Sequence, residues 1–164
     1  MPILSAHSLE IISRSPEQTR RVGMRLGALL KPGDVVCLVG DLGAGKTTLV
    51  QGIAAGWGSL DPVCSPTFVL LNVYRRANGG RLYHLDAYRI SGAPEAEELD
   101  LDVFLEKGPL VVEWAERIRP ALPSDHLWTT LTWVDDSQRD LIFAAHGLRF
   151  QKMLAGFRKR VYGG

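Results

Sequence analysis

The sequence predicts an α/β fold, a mixed β-sheet with helices on both faces. Three observations predict it. Residues 35–39, Val-Val-Cys-Leu-Val, are an unbroken apolar run of the kind buried in a parallel sheet. Gly40-Asp41-Leu42-Gly43-Ala44-Gly45-Lys46-Thr47 follows at once and matches G-x-x-x-x-G-K-[ST], the phosphate-binding loop of P-loop NTPases. Leu49, Ile53 and Trp57 then recur at helical spacing. Strand, glycine loop and helix stand in the order that a P-loop NTPase-like sheet requires.

The remaining elements read in order. Residues 1–13 alternate loosely through Ile3, Leu9, Ile11 and Ile12, an edge strand. Ser15-Pro16-Glu17-Gln18 starts a helix, with a capping serine, proline at the first helical position and Glu and Gln behind it. Val22, Leu26, Leu29 and Leu30 supply its buried face, and Lys31-Pro32-Gly33-Asp34 ends it. After the P-loop helix, residues 56–62 turn. Residues 67–74 and 81–88 read as strands joined by 75–80, whose Asn78-Gly79 pair is a hairpin signal. Residues 91–107 read as one acidic helix, with Pro94 near its start and Gly108-Pro109 after its end. Leu110-Val111-Val112-Glu113-Trp114 is a short buried strand, and 126–134 with 140–146 form a final antiparallel pair. Phe150, Met153, Leu154 and Phe157 repeat at helical spacing before Arg158-Lys159-Arg160. The expected organisation is a P-loop ATPase domain over residues 1–148 and a helical, basic tail over 149–164.

Bulk composition narrows the function. A chain of 164 residues, 46% hydrophobic and 23% charged, is sized and composed as one globular domain. Nineteen basic residues nearly cancel 18 acidic ones, so net charge gives no support to a broad nucleic-acid surface. Cys37 and Cys64 are too few for a disulfide framework. No basic segment followed by an apolar stretch marks a signal peptide, and no apolar run approaches the ~18 residues of a membrane span. The expected location is cytoplasmic.

The P-loop specifies chemistry. Its glycines let successive backbone N–H groups point at one phosphate chain, and the next helix adds its positive N-terminal end. Residues Asp41, Leu42, Gly43, Ala44, Gly45, Lys46, Thr47 and Thr48 are the expected nucleotide-binding set. Lys46 would reach the β- and γ-phosphates, and the Thr47 hydroxyl would ligate Mg²⁺. A P-loop also needs an acidic partner for the metal, usually at the end of an apolar strand. Two acids compete. Glu113 ends a run with the fully buried pattern of a central strand. Asp86 ends Leu82-Tyr83-His84-Leu85, which alternates and follows a hairpin, so it resembles a half-exposed antiparallel strand. The pattern favours Glu113 as metal ligand, directly or through water, with Asp86 polarising the attacking water or holding a second water. Ser65-Pro66-Thr67-Phe68 reads either as a switch loop offering a hydroxyl or as a plain turn. His84 reads as a strand residue rather than a base, since phosphoryl transfer seldom requires histidine. No N-K-x-D loop is present to read guanine, which favours ATP.

Gly-Asp-Leu-Gly-Ala-Gly-Lys-Thr-Thr at 40–48, Ser-Pro-Thr-Phe at 65–68, His-Leu-Asp-Ala-Tyr-Arg at 84–89, Glu-Glu-Leu at 97–99 and Val-Glu-Trp-Ala-Glu at 112–116 together resemble the TsaE (YjeE) family. These are small bacterial ATPases required for threonylcarbamoyladenosine formation in tRNA. The similarity covers roughly residues 8–146. It implies that Lys46 binds phosphate, that Thr47 and Glu113 hold Mg²⁺, that Asp86 and Thr67 act in catalysis, and that Trp114 sits beside the metal ligand. It also implies base or ribose contacts from the first helix and last strand pair, for which Thr19 and Arg139 are candidates. The chain departs from the family pattern at Phe68 and Ala87 and in a shortened segment between Glu98 and Glu113. The implied partners are the TsaB and TsaD proteins, with tRNA contacted indirectly if at all; the basic tail reads as a solvated helix end. ATP hydrolysis, slow in isolation, would reset that assembly. A small-molecule kinase and a nucleotide-dependent binding switch are the competing readings.

Overall fold

The computed structural model describes residues 7–41, 43–63 and 71–162. Seven strands form one sheet in the order β1-β7-β6-β2-β5-β4-β3. They are β1 (Ser8–Ser13), β2 (Val35–Val39), β3 (Leu71–Arg75), β4 (Arg81–Asp86), β5 (Leu110–Glu113), β6 (His126–Trp133) and β7 (Arg139–His146). The helices are α1 (Pro16–Gly27), α2 (Lys46–Trp57), α3 (Ala93–Glu97), α4 (Leu101–Lys107) and α5 (Leu148–Tyr162). The mixed sheet with helices on both faces is the one the sequence predicts.

Strands β6, β2, β5 and β4 run parallel. Antiparallel β7 and β3 flank them, and β1 is an edge. Side chains alternate across the sheet as the pleat requires. Val36 and Leu38 of β2 join the core beneath α1, α2 and α5, while Val35 and Cys37 join the core beneath α3, α4 and two 3-10 turns. Burial pushes the Cys37 thiol up to about 12, so it stays protonated and inert.

Local signals act where expected at α1. The Ser15 side chain caps the helix by accepting from the Gln18 amide at 3.1 Å, and Pro16 opens the first turn. Four glycines then let α1 lie against α2 at backbone distance. Gly23 and Gly27 face Leu49 and Ile53, and Gly52 and Gly56 face Arg20 and Met24. Helix α5 buries Phe150, Met153, Leu154 and Phe157 in the same core, and Arg149 holds buried Asp34 at 2.8 Å.

Two expectations are corrected. Residues 91–107 do not make one helix: α3 and α4 are separated at Asp100, whose φ of 54° is left-handed. Asp tolerates that conformation, and the break lets Ala96, Leu99, Leu101 and Leu105 all pack against the same core. Strand β4 is not half-exposed. Leu82, Tyr83, His84 and Leu85 are all buried, with β3 on one side and parallel β5 on the other. Its alternating polar residue, His84, is satisfied inside the protein rather than by water.

Candidate functional site

The parallel strands all end at one edge of the sheet, where an open α/β sheet places its ligand crevice. A cavity of about 320 Å³ lies there. Each wall follows from an element just described. The loop after β2 supplies Gly43 and Gly45, and the first turn of α2 supplies Lys46, Thr47 and Thr48. Strand β4 ends in Asp86 and β5 in Glu113, followed by Trp114. The N-terminus of α1 adds Ser15, Pro16 and Thr19, the turn between β6 and β7 adds Asp136 and Ser137, and the start of β7 adds Arg139.

The loop has the backbone of a phosphate cradle. Gly43 and Gly45 have φ of 82° and 102°, and their missing side chains leave open space: nothing meets a Cβ at Gly43, and the nearest atoms at Gly45 are 3.9 Å away. Lys46 bends back over the loop, donating to the Gly40 carbonyl and, at 3.0 Å, to the Asp41 carbonyl. Its ammonium lies 4.3 Å from the centre of the Trp114 ring. Burial lowers the Lys46 ammonium below the ordinary lysine range, with Glu113, Glu116, Asp41 and Asp86 pulling the other way. A buried cation held on two loop carbonyls is a ready partner for phosphate.

The acids sit side by side, because Asp86 and Glu113 are register partners on adjacent parallel strands. Burial pushes the Asp86 carboxyl above the usual range. The Tyr88 amide, donating to it at 2.9 Å, works against this. Glu113 is buried and its Oε2 lies 2.6 Å from His84 Nε2. Thr47, Asp86 and Glu113 offer hard oxygen donors to one cavity. No cluster of three or more His, Cys, Asp or Glu able to enclose an ion exists among the described residues. That donor set suits Mg²⁺, which keeps waters and takes phosphate oxygens rather than an all-protein cage.

Ten residues named from sequence thus line one cavity: Gly43, Gly45, Lys46, Thr47, Thr48, Asp86, Glu113, Trp114, Thr19 and Arg139. Ala44 is instead packed in the core, and Asp41 is exposed and meets Lys46 through its carbonyl. Leu42, Thr67 and the rest of 64–70 lie outside the described residues. The Thr19 hydroxyl is engaged, 2.6 Å from Ser13 Oγ. The Arg139 guanidinium is also engaged, donating to the carbonyls of Gly43, Asp135 and Gln138. Arg139 therefore ties the β6–β7 turn to the P-loop. Ser15, Pro16, Asp136 and Ser137 also line the cavity, but their sequence signals are a helix start and a turn, which mark local shape and not proximity to a ligand.

Comparison with known proteins agrees with this architecture. The family model described as threonylcarbamoyl adenosine biosynthesis protein TsaE matches residues 13–141. The tRNA threonylcarbamoyladenosine biosynthesis protein TsaE of Bacillus subtilis is 40% identical over 142 residues, covering 85% of this chain and 87% of that protein. Its counterpart in Streptomyces coelicolor is 49% identical over 110 residues, covering 66% of this chain and 74% of the other. The crystal structure of YdiB from Bacillus subtilis superposes with a TM-score of 0.78 at 34% identity, covering 93% of this chain and 95% of that one.

Proposed function

The chain belongs to the TsaE family of tRNA threonylcarbamoyladenosine biosynthesis, and from that premise we propose that it is a Mg²⁺-dependent ATPase acting with the TsaB–TsaD pair. Hydrolysis resets that assembly during modification of the adenosine beside the anticodon. One observation carries the reading: a P-loop lysine, a P-loop threonine and two strand-end carboxylates converge on one cavity. Lys46 and the loop N–H groups bind the phosphates, and Thr47 with Glu113 holds the metal. Magnesium supplies charge neutralisation on the β- and γ-phosphates. Asp86, whose carboxyl is raised by burial, orients the attacking water and takes up its proton. Thr19 and Arg139 border the ribose and base, and Thr67 joins the γ-phosphate side when the assembly is complete.

The carboxylates separate by assay. Glu113→Ala is expected to lower nucleotide affinity in Mg²⁺ about tenfold while leaving metal-free affinity nearly unchanged. Asp86→Ala is expected to depress hydrolysis by about 10² with a smaller effect on affinity. Calorimetric titration with and without EDTA, beside single-turnover hydrolysis, reads both; the reverse ranking would exchange the two roles.

Partner dependence has a physical reason. Arg139 is the only arginine among the described residues lining the cavity, and its guanidinium is already committed to loop carbonyls. Arg117 lies over the Tyr88 ring. A missing arginine finger can be worth about 10³–10⁵ in rate. Phosphate release should therefore rise at least about tenfold when the TsaB–TsaD pair is added, and cells depleted of this protein should lose the tRNA modification. Unchanged turnover and normal modification would overturn the assignment; turnover requiring a small-molecule acceptor would point to a kinase.

A further inference from the structure

Glu113 is held by a buried relay of side chains. His84 Nε2 lies 2.6 Å from Glu113 Oε2, and the Tyr74 hydroxyl lies 2.9 Å from His84 Nδ1. His84 is wholly buried, and Tyr74 and Glu113 are 4% exposed each. The three residues stand on β3, β4 and β5, three neighbouring strands. In register, His84 faces Val111, so Glu113 lies one step further along the same face. The relay runs diagonally across the sheet and ends at the cavity.

The chemistry fixes its direction. An ionised carboxylate only accepts hydrogen bonds, so His84 Nε2 carries the proton and donates. In the neutral imidazole His84 Nδ1 is then the acceptor and takes the hydroxyl hydrogen of Tyr74. Both ring nitrogens are satisfied, and turning the ring would break two bonds at a fully buried side chain, a costly change. Glu113 Oε2 is thereby pinned, while Oε1 receives no hydrogen bond from the described residues.

We infer that His84, oriented by Tyr74, is a positioning residue that sets the Glu113 carboxylate for the magnesium accompanying the nucleotide. The inference rests on the proposed role of Glu113 and adds to it. A carboxylate free to rotate must be ordered when the metal arrives, whereas one already held by a buried donor is not. Partners of this kind behind a metal ligand are worth about 10–100-fold in metal affinity. A histidine that merely fills the core would affect binding with and without metal alike.

The experiment titrates the full chain with ADP and with a non-hydrolysable ATP analogue, each in Mg²⁺ and in EDTA. The variants are His84→Leu, His84→Gln, Tyr74→Phe, Glu113→Ala and the His84→Leu/Glu113→Ala pair, with thermal melts to establish that each is folded. His84→Leu is expected to weaken binding in Mg²⁺ by up to about tenfold, no more than Glu113→Ala does, and to stay within about twofold of wild type in EDTA. His84→Gln keeps an N–H donor and should recover most of the loss. Tyr74→Phe deletes one oxygen and should move affinity in the same direction by less; it decides the matter if the His84 variants do not fold. On the Glu113→Ala background, His84→Leu should add no further magnesium-specific loss, because the two act as a unit. Equal losses in Mg²⁺ and EDTA, or full additivity, would overturn the inference while leaving Glu113 as the metal contact. A Glu113→Ala variant without magnesium-specific loss would overturn both.

Discussion

Replacing Lys46 by alanine is expected to weaken nucleotide binding at least about 100-fold and to abolish hydrolysis in a protein that still folds. The size follows from the bonds lost. Two charge-assisted hydrogen bonds to phosphate, at about 1.5–3 kcal/mol each, correspond to two or more decades of affinity. The fold survives because Lys46 contributes little to the core. Its ammonium is spent on the Gly40 and Asp41 carbonyls and the Trp114 ring, all at the cavity. Alanine leaves room there for water to satisfy those carbonyls, so the stability cost should be about 1 kcal/mol. Titration with a fluorescent nucleotide and a parallel melt check the claim. A folded variant with wild-type affinity would mean that the cavity is not the phosphate site.

Much of this architecture is legible along the chain, and the reason is local. The P-loop, the cap at Ser15 and the Asn78-Gly79 hairpin are each specified by neighbouring residues, so spacing alone finds them. The fold class and the cavity-lining residues of the P-loop follow from the same signals. What spacing misses is partnership across strands. His84 looks like the polar member of an alternating, half-exposed strand. In the structure it is buried because Tyr74 and Glu113 supply both its hydrogen bonds, and those partners are 10 and 29 residues away. The same holds for Ser15, Asp136 and Ser137. Their own segments predict a helix start and a turn, but only the strand order brings both to the P-loop. The break at Asp100 escapes for another reason: both halves of 91–107 are good helix sequence, and the need to bury both against one sheet decides the kink.

The glycines between α1 and α2 carry the second large effect. Gly56→Ala is expected to destabilise the protein by about 3 kcal/mol, lowering the melting temperature by roughly 6–12 °C for a chain of this size. A Cβ at Gly56 would overlap the Met24 carbonyl oxygen, with the Met24 carbon atoms close behind it. These are backbone atoms of a packed helix and cannot rotate aside, so α1 must move away from α2. That movement also reaches the cavity, because Ser15, Pro16 and Thr19 ride on the N-terminal end of α1 while Lys46, Thr47 and Thr48 ride on α2. Nucleotide affinity should therefore fall along with stability. Gly156→Ala is the internal control. Gly156 is also helical, within α5, but nothing lies within 4 Å of the added carbon. There the same change should raise stability by about 0.5–1 kcal/mol, through the unfolded chain's lost freedom and better helix propensity. Opposite signs for one chemical substitution at two helical glycines test the close approach itself. A Gly56→Ala variant that melts like the wild type would show that α1 is not held at backbone distance, and the wall it gives the nucleotide cavity would have to be redrawn.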